Sequence, residues 1–87
     1  MVNIHDFRVM PFEHKCDIVT YYGNYLAHRF LGECKVFLYA ADDFFIEVYY
    51  SPKYQKVLMI NAFDQVVGLD SYLDLISLAD LERRPIM

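Results

Sequence analysis

The sequence predicts an α+β fold: an N-terminal helix, a four-stranded antiparallel β-meander and a short C-terminal helix, packed as a two-layer sandwich. Turn-forming pairs recur every nine or ten residues, at Gly23-Asn24, Gly32-Glu33, Asp42-Asp43 and Ser51-Pro52, which is the rhythm of a meander. Within Cys34 to Tyr50, two runs rich in aromatic and β-branched residues flank Ala41-Asp42-Asp43 and read as an antiparallel hairpin. Between Pro11 and Tyr22 the apolar residues instead recur at spacings of three and four, the period of a helix.

Residues 1–10 show no repeating pattern beyond Ile4, Phe7, Val9 and Met10, and carry no assignment. Pro11 suits the first position of a helix, and Phe12, Cys16 and Val19, widened by Ile18 and Tyr22, form its apolar stripe. The spacing predicts a helix over Pro11 to Tyr22, stopped by a left-handed residue at Gly23-Asn24. Leu26 and Phe30 continue the stripe and permit a single helix to Leu31, with Gly23 in its interior at a cost of ~1 kcal/mol. The turn punctuation favours strands over about Tyr25 to Leu31, Cys34 to Ala40, Phe44 to Tyr50 and Lys56 to Asn61.

A three-residue loop, Ala41 to Asp43, pairs Ala40 with Phe44, while a five-residue loop, Ser51 to Gln55, leads into the last strand. Val36, Leu38, Phe44, Ile46, Val48 and Tyr50, joined by Leu58 and Ile60, then form the core face. The opposite face carries Lys35, Phe37, Tyr39, Phe45, Glu47, Tyr49, Val57 and Met59, too apolar a set for full exposure to water. Glu47 interrupts the run FFIEVYY, marks the less buried side, and calls for an ion pair with Lys35 or Arg29. Ala62 to Gly68 reads as a turn or a short helical piece. Ser71 and Asp74 have the form of a capping box for a C-terminal helix, with Tyr72, Leu73 and Ile76 on its apolar side. A second such pair, Ser77 and Asp80, extends the helix to about Glu82, before Arg83-Arg84-Pro85.

Length and composition narrow the function classes. With 87 residues the chain predicts one domain, 1–87. The net charge of −4, with basic residues spread along the chain, argues against nucleic acid as a partner. No uncharged stretch approaches the ~20 residues of a membrane span, and residues 1–10 lack the apolar core of a signal peptide, so the expectation is a soluble cytoplasmic protein. In that setting Cys16 and Cys34 read as reduced thiols.

No catalytic or cofactor constellation emerges. His14, Cys16, His28 and Cys34 include the atom types of a zinc site, but their spacings match no zinc knuckle, and no metal is expected. Cys16 falls on the apolar stripe of its helix, where a thiol is inert. Asp42-Asp43 reads as a solvated turn. Gly23, Gly32 and Gly68 form no phosphate-binding loop, so no cofactor is expected.

The segments YGNYLAHR, VFLY, FFIEVYY and YLDLISLADL together resemble a family of small bacterial α+β proteins of uncharacterised function. The resemblance implies a helix and an antiparallel sheet and brings no site residues. Hydrophobic residues make up 56% of the chain, and fifteen are aromatic (eight Tyr and seven Phe), an apolar excess that needs cover. The expectation is therefore a non-enzymatic interaction module, pairing with itself as a homodimer or with another protein, through Phe37, Tyr39, Phe45, Glu47, Tyr49, Val57 and Met59. The alternative is a small-ligand-binding domain with Phe37, Tyr39, Phe45 and Tyr49 as an aromatic floor and Glu47 as the polar anchor.

Overall fold

The computed structural model describes residues 2–75 and has the predicted α+β architecture: N-terminal helices, one open sheet of four antiparallel strands, and a short helical segment after them. Helix α1 spans Ile4–Arg8 and helix α2 spans Phe12–Tyr22, and the strands are β1 (Asn24–Leu31), β2 (Cys34–Ala40), β3 (Phe45–Ser51) and β4 (Lys56–Phe63). A 3-10 helix, Val66–Tyr72, follows. The sheet order β1-β2-β3-β4 is that of a meander.

Helix α1 lies in the segment that carried no assignment. Its start is set by Asn3, whose Oδ1 accepts from the Asp6 backbone N–H at 2.8 Å, and it buries Ile4 and Phe7. Helix α2 follows the predicted bounds, with Pro11 just before it, but buries no side chain completely. Gly23 ends α2 in an extended conformation (φ −76°) rather than the left-handed one expected. Its reason for being glycine is close approach: a Cβ there would stand 2.6 Å from the Val19 carbonyl oxygen. The left-handed glycine is instead Gly32 (φ 60°), in the β1–β2 turn, and Gln55 (φ 52°) in the β3–β4 turn is left-handed too.

The hairpin register differs from the expected one by a single residue. Ala40 pairs with Phe45, not Phe44, and the Ala41 N–H bonds the Phe44 carbonyl at 2.9 Å, leaving Asp42-Asp43 as the tip. Because side chains alternate with a period of two, this step turns every β3 residue to the other face relative to β2. The core face drawn from the sequence is therefore corrected. Val36 and Leu38 share a face with Phe45, Glu47 and Tyr49, whereas Ile46, Val48 and Tyr50 share the other with Phe37 and Tyr39.

Helical segments pack on both faces of the sheet. On one, α1 and α2 pack Ile4, Phe7, Ile18 and Val19 against Phe44, Ile46, Val48, Ile60 and Ala62. On the other, Leu69 and Tyr72 of the 3-10 helix pack against Ala27, Leu38, Ala40 and Phe45. Ser71 lies inside that 3-10 helix instead of capping a new one. The remainder of the predicted C-terminal helix, from residue 76 through Glu82, lies outside the described residues.

Candidate functional site

Glu47 sits under the 3-10 helix, only 6% exposed, so the expectation that it marks the less buried side is corrected. Four protein donors converge on its carboxylate. The Tyr72 hydroxyl donates to Oε2 at 2.6 Å and Asn61 Nδ2 to Oε1 at 3.0 Å, while the Tyr49 hydroxyl (3.4 Å) and Arg29 Nη2 (3.5 Å) complete the set. The Arg29 contact is the ion pair anticipated across the strands. Arg29 also stacks over the Tyr72 ring at 5.1 Å, and its Nε–H is buried without a partner among the described residues.

Electrostatics in this cluster follow from burial and charge. Desolvation, then donation to Glu47, raises the Tyr72 hydroxyl well above the usual phenol range. Burial and the neighbouring Glu47 charge raise Tyr49 as well. Burial pulls the Arg29 pKa down, but Tyr72 and Glu47 outweigh it and hold it above its ordinary value. Two short donors, Tyr72 and Asn61, and two longer ones, Tyr49 and Arg29, surround the carboxylate. The cluster ties β1, β3 and β4 to the 3-10 helix.

The residues expected to form one interface are divided between the faces. Phe37, Tyr39 and Val57 lie on the helix side, and Phe45, Glu47, Tyr49 and Met59 on the 3-10 side. Phe45 is completely buried within one chain, and Met59 is exposed. The aromatic floor of the ligand-binding alternative is divided in the same way, because Phe37 and Tyr39 are separated by the sheet from Phe45 and Tyr49.

A different aromatic group is left open on the helix side, beyond the reach of α1 and α2. His28 meets Phe30 at 5.9 Å and Phe37 at 6.2 Å between ring centroids, and Phe37 meets Tyr50 at 6.4 Å. The Tyr25 hydroxyl and His28 Nδ1 are 2.8 Å apart, and Lys35 Nζ lies 5.1 Å from the Phe37 ring centroid. Phe30 is 68% and Tyr25 53% exposed. Sequence reasoning missed this strip because Tyr25, His28 and Phe30 share a face only through a bulge at Leu26, which shifts the β1–β2 register.

Cys16, Val19 and Thr20 of α2 border a hollow of about 140 Å³ against Tyr39, Val48, Val57 and Ile60. The Thr20 hydroxyl is engaged with the Cys16 carbonyl. Burial, then the charges of Asp17 and Glu13, raises the Cys16 thiol pKa, so its thiolate fraction at neutral pH falls below that of an unperturbed cysteine. A maleimide or disulfide probe should therefore label Cys16 several-fold more slowly in the native chain than in the urea-unfolded chain. Equal rates would contradict that environment.

Among the described residues no group of three or more His, Cys, Asp or Glu side chains is placed to hold a metal ion, and no helix is long and apolar enough to cross a membrane. Comparisons with family models, with curated proteins and with solved structures return no match.

Proposed function

We propose that this chain is a non-enzymatic interaction module whose partner is a second copy of itself, and that the contact is made along the exposed aromatic side chains of β1, Tyr25, His28 and Phe30, with Phe37 and Tyr50 flanking it. The observation that carries this reading is exposure: both sheet faces have helical cover, yet this strip remains outside it, with Phe30 two-thirds exposed. Aromatic residues concentrated in one patch are the usual anchors of protein contacts. The alternative ligand site has less support, since Glu47 is buried and engaged by protein donors and its aromatic floor is divided between the two faces.

Phe30→Glu tests the reading. An exposed position tolerates substitution within about 0.5 kcal/mol of folding stability, so the variant should keep its circular dichroism spectrum and sediment as a monomer at concentrations where the unmodified chain is a dimer. Unchanged association of a folded Phe30→Glu chain would remove this strip from the interface.

A further inference from the structure

The two edges of the sheet differ in how open they are. On β4, Arg8 donates to the Ala62 carbonyl at 3.1 Å, Lys56 opens the strand, and Leu58 is bulged out of the ladder with β3. Such features discourage strand addition. On β1 the half from Ala27 to Leu31 pairs regularly with β2 and carries no acidic residue and no proline. Its one charged side chain, Arg29, is directed to Glu47. Among the described residues the outer N–H and C=O groups of this half have no strand partner.

We infer that two copies join edge to edge through β1, antiparallel about a two-fold axis at His28, to make one continuous eight-stranded sheet; this rests on the homodimer reading above. The register follows from the side chains. A two-fold at His28 sets Ala27 of one protomer opposite Arg29 of its partner. The two guanidinium groups stay apart, and each long side chain lies against a small one on the 3-10 side. A two-fold at Arg29 would instead set like charges directly opposite, which is destabilising.

The bulge then acquires a role. Leu26 is the extra residue of β1, so Tyr25 takes the place next to Ala27 and falls in phase with Phe30. The same two-fold that pairs His28 with its counterpart therefore sets Tyr25 of each protomer opposite Phe30 of the other, all on the helix side. Aromatic cross-strand pairs of this kind stabilise a ladder. The row Phe30-His28-Phe37-Tyr50 would run unbroken through the seam into the second copy.

Cysteine cross-linking tests the mode of association separately from its existence. In a chain with Cys16→Ala and Cys34→Ala, His28→Cys lies on the axis and should oxidise to a disulfide dimer. A mixture of Tyr25→Cys and Phe30→Cys chains should form the crossed dimer even if the axial substitution perturbs folding. Leu58→Cys, exposed on β4, should remain monomeric on a non-reducing gel. A chain that is dimeric in solution but cross-links at Leu58→Cys, or at neither β1 site, would overturn the β1 seam and leave the homodimer standing. A chain that is monomeric in solution would overturn both.

Discussion

Glu47→Ala should lower the unfolding free energy by about 3–5 kcal/mol, because removing one partner of a buried ion pair leaves the other uncompensated. Arg29, Tyr72 and Asn61 would all lose their acceptor, and Tyr72 is fully buried with nowhere else to donate. Arg29 keeps 22% of its side chain exposed and can recover some hydration, which places the expected value toward the lower end. A domain of this length has roughly 4–13 kcal/mol in total by per-residue scaling, so the loss is a large share of its stability. Urea denaturation is the measurement. A loss under ~0.5 kcal/mol is the size of an exposed substitution and would show that the carboxylate is not the anchor of the 3-10 helix.

Phe45→Ala should cost a similar amount, about 3–5 kcal/mol, the usual range for emptying a buried aromatic site. Phe45 is 0% exposed, stacks on Phe63 with ring centroids 5.3 Å apart, and packs with Leu69 and Tyr72. Phe37→Ala, on a partly buried residue of the other face, should cost less than half as much. The gap between the two costs reports the β2–β3 register, since the one-residue alternative would put Phe45 on the same sheet face as Phe37. If the two costs prove equal, Ala40 is not opposite Phe45. A charged residue at Phe45 would unfold the single chain, so association must be probed at Phe30 instead.

The strands and α2 were legible because each depends on local information, namely turn residues at even spacing and the switch in apolar period at Gly23. The register was not, for a physical reason. Phe44 and Phe45 are adjacent and equally apolar, both faces of the sheet are aromatic, and no polar side chain penalises the wrong choice locally. Glu47 alone carried the missing information. Reading it as a sign of exposure placed it outside, whereas its donors come from 14 to 25 residues away in the case of Asn61, Arg29 and Tyr72. The pairing with Arg29 was accessible from cross-strand reasoning, while nothing near Tyr72 in the chain announces a carboxylate partner. Asn3 and Asp6 did carry a usable signal for α1, an N-cap residue followed by an acid three positions later ahead of Phe7.

The homodimer is the claim on which the interface depends, and the molar mass of the unmodified chain in solution decides it. Size exclusion coupled to light scattering, run across the micromolar range, should give twice the 10.3 kDa of one chain, falling toward the single-chain value on dilution. A mass of one chain at every concentration, with the protein folded, would contradict the account.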